Sequence, residues 1–432
     1  MYKKILHTLN KNGYDAYIVG GAVRDFLLGK EPSDVDIATN ATPEIVTGLF
    51  PVVYPTGIEF GTVTVMLGKE GYEVTTFRTD GEYLDGRRPK TVVFGETIED
   101  DLSRRDFTIN AMAMDADGKI IDMFGGQDDI KRGIIRAVGN PSERFSEDAL
   151  RILRAFRFSA RYGFDIEAET FKAIKETKEG LKLISSERIR EEIIKILLTD
   201  NVLDVFIAMY KSGVLNVILP EIAGMYGVEQ NNPHHIYDVF HHTLKVVENT
   251  PKDEVLRLAA LFHDIGKPYT KETINGVDKF YKHHLKSVEL ATQILERLKF
   301  SNKIKNEVLE LVLFHDREIK ASPKAVRKLL NQLQYTSLEN LLAVKKADAI
   351  AQNNSYLEVK LEVIKEIQNI ASKEQKLTAK DLAVNGYDMM NLGLKGKDIG
   401  EMLNYLLVKV LDNPTCNNRE SLLLYARDYL HN

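Results

Sequence analysis

Two aspartates separated by a single residue, Asp34 and Asp36, follow a glycine turn near the start of the chain. Of all the features in the sequence, this pair most constrains the fold. On a strand, residues at spacing two face the same side. Two close like charges are unfavourable unless a cation lies between them. Magnesium binds one or two carboxylates together with substrate phosphates. The pair therefore predicts a strand edge that holds Mg²⁺ for nucleotide transfer.

The glycine turn, Gly20-Gly21, comes after the apolar run 16–19 and before Arg24. Glycine lets the backbone approach a triphosphate, and an arginine at this spacing reaches one of its oxygens. Each feature alone has an ordinary alternative, a simple turn or a solvated loop. Together they predict a strand–turn–helix–strand unit with a catalytic edge.

The bulk composition sets wider limits. A chain of 432 residues is expected to form two to four domains. No apolar stretch approaches the roughly 18–20 residues of a membrane span, and no signal-type segment is evident at the N-terminus. The single cysteine, Cys416, fits a reducing cytoplasm. The net charge of −5 counts mildly against RNA, although binding depends on local patches.

The pattern of the chain changes after Asn140-Pro141. Before this point short apolar strands recur, at residues 17–19, 35–38, 62–66, 72–77 and 120–123. After it, long helical periods continue to the end. The sequence therefore predicts an α+β head followed by helical domains.

Arginine is concentrated in two motifs. Arg104-Arg105-Asp106 precedes Phe-Thr-Ile-Asn-Ala, where the two arginines can clamp phosphates or order a carboxylate. In a helix over residues 147–161, one broad face carries Asp148 and four arginines, namely Arg151, Arg154, Arg157 and Arg161. Within the helix, this face has no acidic partner four residues away except at its start, and uncompensated arginines repel one another, which favours an anionic ligand over a solvated surface.

These motifs, Gly-Gly-Ala-Val-Arg-Asp, Asp-Val-Asp, Arg-Arg-Asp-Phe-Thr-Ile-Asn-Ala and Glu-Asp-Ala-Leu-Arg, resemble the signatures of bacterial class II tRNA nucleotidyltransferases, which comprise CCA-adding enzymes and poly(A) polymerases. The resemblance implies a polymerase-β-like head with a mixed sheet and all-α neck, HD and tail domains. The expected boundaries are 1–138 for the head, 139–228 for the neck, 229–365 for the HD domain and 366–432 for a tRNA-binding tail.

The resemblance also assigns roles to residues. Asp34 and Asp36 would hold Mg²⁺, with Glu73 as a third catalytic carboxylate or, equally, as an exposed strand charge. The residues expected to bind the incoming nucleotide are Gly21, Arg24, Arg105, Asp148, Arg151, Arg154 and Arg157.

Asp148 and Arg151 suit selection between bases. Cytosine and adenine both present an amino donor beside a ring-nitrogen acceptor, whereas uracil and guanine present the reverse order. A carboxylate beside a guanidinium matches the first pair and leaves polar groups unpaired with the second. Asp148 and Arg151 would form such a carboxylate–guanidinium pair, here called the Asp148–Arg151 fork. The fork predicts addition of C and A without a nucleic-acid template.

The segment Arg78–Pro89 corresponds to a flexible loop that CC-adding members of the family lack in part. Its glycine and aspartate content suits a mobile segment. An intact loop argues against CC-only activity but leaves A-only and poly(A) activity open.

A second chemistry is indicated by histidines, since eight of the ten lie between His234 and His315. The phrase around His263-Asp264 resembles the HD phosphohydrolases. The matching ligands are His242, His263, Asp264 and Asp348, with His283 and His315 as candidates for a second divalent metal. A helical scaffold without catalysis is the alternative.

We therefore expect Mg²⁺-dependent addition of CCA to tRNA 3′ ends from CTP and ATP. The expected partners are tRNA and these nucleotides, with no membrane and no obligate protein partner. The alternatives are an A-adding enzyme or poly(A) polymerase of the same class, an HD phosphohydrolase with an RNA-binding head, and a pure RNA-binding protein.

Overall fold

The computed structural model describes residues 1–80, 92–94, 97–233, 235–353, 355 and 357–431. It divides into two compact units, Met1–Ala223 and Gly224–Asn432. No described helix has the length and apolar character needed to cross a membrane. The division falls near the expected end of the neck, and the finer boundaries at 138, 228 and 365 remain predictions.

The first unit contains eleven described strands. They are β1 (Ala16–Val19), β2 (Asp36–Thr39), β3 (Val53–Gly57), β4 (Thr62–Leu67), β5 (Glu70–Thr76), β6 (Arg78–Asp80), β7 (Val92–Phe94), β8 (Met112–Met114), β9 (Ile120–Asp122), β10 (Ile134–Ile135) and β11 (Asp165–Ile166). Seven form one sheet in the order β3-β4-β5-β2-β1-β8-β9. Only β2 and β5 pair in parallel, so the sheet is mixed as predicted.

Both faces of this sheet are covered. Ile18 and Ile37 pack on one side with residues of the first helix, such as Leu6. Val19 and Ala38, their neighbours in sequence, belong to a second buried cluster on the other side. This alternation follows from the two-residue period of a strand. The rigid sheet fixes the edge where Asp36 begins β2.

The helices of the first unit follow the predicted change of pattern. They are α1 (Tyr2–Lys11), α2 (Gly21–Leu27), α3 (Pro43–Leu49), α4 (Ile98–Ser103), α5 (Gly126–Arg132), α6 (Pro141–Glu147), α7 (Leu150–Tyr162), α8 (Ala168–Thr177), α9 (Ser186–Leu197), α10 (Val202–Ser212), α11 (Val214–Ile218) and α12 (Pro220–Ala223). Helix α6 begins at Pro141, with Asn140 as its N-cap, because proline suits the first helical position.

The second unit is helical apart from one hairpin. Its helices are α13 (Val239–Asn249), α14 (Glu254–Phe262), α15 (Lys267–Thr270), α16 (His283–Arg297), α17 (Asn302–Phe314), α18 (Pro323–Gln332), α19 (Leu338–Ile350), α20 (Leu357–Ala371), α21 (Gly386–Asn391), α22 (Lys397–Asp412) and α23 (Arg419–His431). The hairpin pairs β12 (Lys271–Ile274) with β13 (Val277–Phe280).

Sequence analysis did not predict this hairpin, although its turn carried a signal. Asn275 and Gly276 both adopt positive φ, of 51° and 77°. Asn-Gly is the preferred pair for a two-residue hairpin turn, since both positions need this conformation. The hairpin leads directly into His283 at the start of α16.

Candidate active sites

The two aspartates of the head lie at the edge of the sheet, but only one belongs to it. Asp36 is the first residue of β2, whereas Asp34 precedes the strand, so the expectation that both lie on a strand is wrong for Asp34. Ser33 Oγ donates to Asp34 Oδ2 over 3.1 Å in this non-strand segment. The parallel register of Ile37 with Val74 brings Asp36 next to Glu73 on the neighbouring strand.

The electrostatics of Asp36 reflect this crowding of like charges. Loss of hydration raises the pKa of Asp36, and the nearby Glu73 and Asp34 raise it further, against the opposing effect of Arg105. A divalent cation would relieve this repulsion, and carboxylates are the donors that Mg²⁺ prefers, so the residues fit the predicted metal. Among the described residues, the groups of three metal-ligating side chains within 4.8 Å lie in the second unit. A third-ligand role for Glu73 therefore remains a prediction.

The glycine turn is tightly enclosed. Gly20 has φ of +70°, and a Cβ there would lie 2.5 Å from Nη1 of Arg105. Glycine alone avoids both the strain and the clash. Arg105 in turn shares the carboxylate of Asp101 with Arg104, at 2.8 and 2.6 Å, so this arginine pair orders a buried carboxylate.

Arg24 is more enclosed than its predicted role suggests. Its guanidinium is buried, donates to Asp25 Oδ1 over 2.9 Å and to Asn110, and stacks over the ring of Tyr162. Arg24 still lines the cavity described next. Its contact with a nucleotide remains a prediction.

One cavity of about 450 Å³ collects the predicted nucleotide-binding residues. It is lined by eight arginines, three aspartates, and four other residues: Arg24, Arg104, Arg105, Arg151, Arg154, Arg157, Arg161, Arg188, Asp36, Asp106, Asp148, Gly21, Asn110, Leu150 and Phe158. The lining therefore carries a formal excess of positive charge. A cavity of this size, with this charge, suits a triphosphate.

The arginines of α7 are not uncompensated as the sequence suggested, because acidic partners reach them from other elements. Arg154 Nε donates to Asp106 Oδ2 over 2.6 Å, and Arg157 lies 3.0 Å from the carboxylate of buried Glu192 on α9. Sequence analysis missed these partners because they come from other elements, not from the same helix. Burial alone would raise the pKa of Asp106, but Arg154 and the Asn110 amide hold it below its ordinary value.

Asp148 and Arg151 have separate partners in this structure. Asp148 precedes α7 and accepts a hydrogen bond from Arg188 Nη2 over 2.7 Å. Arg151 pairs with Glu147 and donates to the Arg104 carbonyl over 3.0 Å. Sequence analysis missed Arg188, for which the only signal was its place in the charged run at the start of α9. Both members of the predicted fork line the same cavity.

The predicted loop Arg78–Pro89 lies outside the described residues from position 81 onward. Its bearing on C and A addition stays a prediction.

The six predicted ligands of the second site come together in the second unit. His242 lies on α13, Asp348 lies on α19, and His283 begins α16, whereas His263, Asp264 and His315 follow the ends of α14 and α17. His242 Nε2 is 3.0 Å from Asp348 Oδ1, and His263 Nε2 is 3.1 Å from Asp264 Oδ2. His283 and His315 approach the other oxygen of Asp264 at 3.3 and 3.7 Å. Five of the six are buried, and Asp348 is partly so.

The ring orientations point to metal binding. The Nδ1 atoms of His263, His283 and His315 lie 2.7 to 2.9 Å from backbone carbonyls, of Ala260, Phe280 and Val312. This fixes the tautomer and turns Nε2 inward, which is how ligating histidines are commonly held. The Nε2 atoms of His242 and His263 are buried and close to carboxylate oxygens, but their geometry makes no hydrogen bond with any described residue. A cation would satisfy both, so these residues fit a divalent metal.

Two groups of three donors share this centre. His242, His263 and Asp348 form one, and Asp264, His283 and His315 form the other, each with donor atoms within 4.8 Å. Against the effect of its burial, His263 and Lys267 lower the pKa of Asp264 well below its ordinary value, so its carboxylate is ionised. Lys267, which sequence analysis missed, lies 2.6 Å from Asp264. The only sign of Lys267 in the sequence was its position three residues after Asp264.

The remaining histidines of the cluster are placed differently. His241 turns to Asp238, 2.7 Å away, and His284 groups with His283 and Asp316. His235 packs edge-on against His242, and burial lowers its pKa to about 3. His234 lies outside the described residues.

Family models match three parts of the chain. A poly A polymerase head domain matches residues 16–136, a probable RNA and SrmB-binding site of polymerase A matches 163–225, and an HD domain matches 234–353.

Curated relatives match either the whole chain or one half of it. A CCA-adding enzyme of Bacillus pumilus is 37% identical over 427 residues, covering 97% of this chain and 94% of that enzyme. One of Streptococcus pneumoniae is 34% identical over 98% of this chain and 96% of its own length. One of Lactobacillus helveticus is 55% identical over 192 residues, so the match spans about half of each, 44% of this chain and 48% of that enzyme.

Solved structures of CCA-adding enzymes are similar to this chain over nearly its whole length. The CCA-adding enzyme of Bacillus stearothermophilus in complex with CTP superposes with a TM-score of 0.74 at 30% identity, covering 100% of this chain and 97% of that one. The Thermotoga maritima enzyme complexed with tRNA shares the fold, with a TM-score of 0.61 at 23% identity and coverage of 99% and 94%. On the near full-length identity and the order of its head, RNA-binding and HD segments, the chain belongs to the family of CCA-adding enzymes.

Proposed function

We propose that this protein adds CCA to tRNA 3′ ends from CTP and ATP without a nucleic-acid template. The observation that carries the proposal is the cavity in which Asp36 and eight arginines share one lining. Relatives solved with CTP and with tRNA support the same substrates. A tRNA acceptor also supports the cytoplasmic location that the sequence predicts.

The residues of the head divide the work of transfer. Asp34 and Asp36 hold Mg²⁺, which when bound would polarise the α-phosphate. Arg105, Arg154 and Arg157 bind the triphosphate, and Gly21 and Arg24 shape the turn beside it. The 3′-hydroxyl of the RNA loses its proton to solvent as its oxygen attacks the α-phosphorus, the bond to the bridging oxygen breaks, and pyrophosphate leaves.

Selection of the base belongs to Asp148 and Arg151. Asp148 accepts a hydrogen bond from the amino group of cytosine or adenine, and Arg151 donates to the ring nitrogen. Each must release part of its present bonding, to Arg188 and Glu147, when a base enters. These partners keep the two side chains ordered while the cavity is free of base.

An incorporation assay tests this function. The acceptors are a tRNA ending before CC, the same tRNA ending after CC, and an RNA without an acceptor stem. We expect C, C and A to be added to the first, A alone to the second, and nothing to the third. Addition of A only to both tRNAs, or of long A tracts, would favour the alternative activities of the class. Comparable incorporation of UTP or GTP would refute the Asp148–Arg151 fork.

A second activity is favoured by the buried ligands of the HD region. We propose that this centre binds one or two divalent ions and hydrolyses phosphate esters. Asp264 directs its two oxygens to the two donor groups, and Lys267 holds it in place. Metal bound there would activate water. A water oxygen bonds to phosphorus, the ester P–O bond breaks, and the alcohol leaves with the proton.

Metal content and phosphate release test the second activity. The protein loaded with Mn²⁺, Co²⁺ or Mg²⁺ is assayed with p-nitrophenyl phosphate, and bound metal is counted by mass spectrometry. We expect metal-dependent release that His263→Ala abolishes together with metal binding. If the protein bound each metal but released no phosphate with any of them, the alternative of a helical scaffold without catalysis would stand.

A further inference from the structure

A cavity of about 480 Å³ opens beside the second centre, and no role has been given to most of its lining. His315 and Asp348, two of the candidate metal ligands, belong to its wall. The cavity is large enough for a small organic ligand. Anything bound in it would therefore lie next to the metal-binding side chains.

The wall of the cavity carries two acidic residues, Asp316 and Glu318, and two further parts that differ in chemistry. One is cationic and consists of Lys345 on α19 and Lys360 on α20. The other is aliphatic and includes Val363, Ile364 and Ile367 of α20. Ile364 and Ile367 are buried, but Val363 is 38% exposed and Val359, one turn earlier, is 64% exposed. Exposed aliphatic side chains that line a cavity are well suited to cover an apolar part of a ligand.

Lys345 lies close to the metal-binding residues. It is three residues before Asp348 on the same helix, so both side chains face the same side. Its Nζ donates to the backbone carbonyls of His315, over 2.6 Å, and Arg317, over 2.9 Å. An ammonium group has three donors, so one is left for the cavity. This fixes a positive charge beside a metal ligand at the cavity edge.

Asp348 is also linked by hydrogen bonds to polar residues of the cavity wall. Gln352 Nε2 donates to Asp348 Oδ1 over 3.0 Å, and Gln352 Oε1 accepts a hydrogen bond from Lys360. Lys360 thus holds Gln352, and through it Asp348. The carboxylates of Asp348, Asp316 and Glu318 attract the charge of Lys345. Of the two lysines, Lys345 is the one that lies directly against the segments of His315 and Asp348, so it is the one that an anion at the metal-binding side chains would meet.

We infer that Lys345 binds a phosphoryl oxygen of the ester cleaved at the second centre, and that the aliphatic wall of α20 receives the apolar body of its alcohol. The inference rests on the proposed phosphohydrolase activity and specifies its substrate-binding residues. A phosphoryl group between the metal-binding side chains and Lys345 would be neutralised from two sides. The favoured ester is one whose compact, largely apolar alcohol fits the aliphatic wall.

A pair of lysine variants tests the cationic part. Lys345→Met keeps the aliphatic stem but removes the charge, and Lys346→Met is the matched control, because Lys346 is the next residue and is exposed. The full chain is loaded with the metal that supports p-nitrophenyl phosphate hydrolysis. We expect Lys345→Met to raise KM and the inhibition constant of inorganic phosphate about tenfold, in line with one lost charge-assisted hydrogen bond. Bound metal should not change, whereas Tm should fall because the hydrogen bonds to the His315 and Arg317 carbonyls are lost as well, and Lys346→Met should behave as the parent protein.

Other outcomes separate the possible failures. Unchanged KM and inhibition constant in Lys345→Met would overturn the inference and leave the hydrolase standing. Loss of bound metal or of Tm, with an unchanged inhibition constant in the remaining loaded protein, would also overturn it, since Lys345 would then only hold the end of α17. If the parent protein releases no phosphate, the hydrolase itself fails. In that case calorimetric titration with phosphate still compares the parent with Lys345→Met, and equal binding rejects the role of Lys345.

The aliphatic part has its own test. Val363→Asn places a polar amide on the wall without changing charge. We expect KM to rise several-fold for p-nitrophenyl phosphate but to stay unchanged for glycerol phosphate, whose alcohol is polar. An equal rise for both esters, or none for either, would reject the aliphatic wall as the site of the alcohol.

Discussion

At the scale of single residues, the head is organised around Arg105. It lies against the Gly20 turn, shares Asp101 with Arg104, and influences the ionisation of Asp36. Asp101 is almost fully buried, and its two arginines hold its pKa below the ordinary value against the effect of burial. The glycine turn and the carboxylate of Asp36 are therefore linked through one guanidinium.

Substitution of Gly20 should damage the site through this link. Gly20→Ala forces an alanine into a glycine-only conformation, at a cost of about 1–3 kcal/mol, and displaces the Arg105 guanidinium. Gly13→Ala is the control, because Gly13 also has positive φ, of 83°, but a Cβ there meets no atom within 4 Å. We expect both to lower the free energy of unfolding and only Gly20→Ala to raise KM for CTP. Equal KM values for CTP in the two variants would mean that Arg105 takes no part in nucleotide binding.

A second residue-scale prediction concerns pH. Because Asp106 has a folded-state pKa below its ordinary value of 3.8, its ionised form stabilises the fold above that value. The stabilisation is lost as the pH falls through the folded-state pKa. Asp106→Asn should therefore lower the free energy of unfolding by about 2 kcal/mol at pH 7 and by progressively less below pH 4, measured by urea denaturation. Asp117→Asn, at an exposed position, should show no such dependence.

At the scale of elements, α7 shows what sequence could and could not supply. Its arginines were found because their spacing on one helix is readable from the chain. Their partners were not, since Asp106 is 48 residues from Arg154 and Arg188 is 40 residues from Asp148. Pairs at such separations follow from tertiary packing, not from local pattern. In the second site only the pair His263-Asp264 is local and readable from the chain, whereas the other candidate ligands, which lie far apart in sequence, were assigned through the resemblance to HD phosphohydrolases.

The contact between α7 and α9 yields a prediction at this scale. Glu192 is buried on α9 and pairs with Arg157 on α7 at 3.0 Å. Removing one member of a buried pair leaves the other charge uncompensated, at a cost of about 3 kcal/mol. Glu192→Gln should lower the free energy of unfolding by this order in chemical denaturation. Glu191→Gln is the control, because the adjacent Glu191 is exposed, and a loss of similar size there would remove the explanation.

At the scale of the whole molecule, net charge is a poor guide to the ligand. The chain carries −5 overall, yet eight arginines line one cavity of the first unit. The negative net charge counted mildly against an RNA substrate, but it does not describe the surroundings of this cavity. Binding responds to the local electric field and not to the total charge. The acidic residues that balance the total lie elsewhere or pair with these arginines.

The two compact units each contain one complete set of candidate catalytic residues, so the two activities should be separable by mutation. Asp34→Ala removes a proposed Mg²⁺ ligand of the head and should reduce nucleotide addition by more than ~1000-fold, because the ion would contribute several kcal/mol to the transition state. Phosphate release from p-nitrophenyl phosphate should be unchanged. His263→Ala should give the reverse result, with loss of phosphate release and normal addition of C, C and A. Both assays are run on the same preparations, with Tm as the check on folding. If either variant lost both activities at an unchanged Tm, the two sites would act as one coupled system.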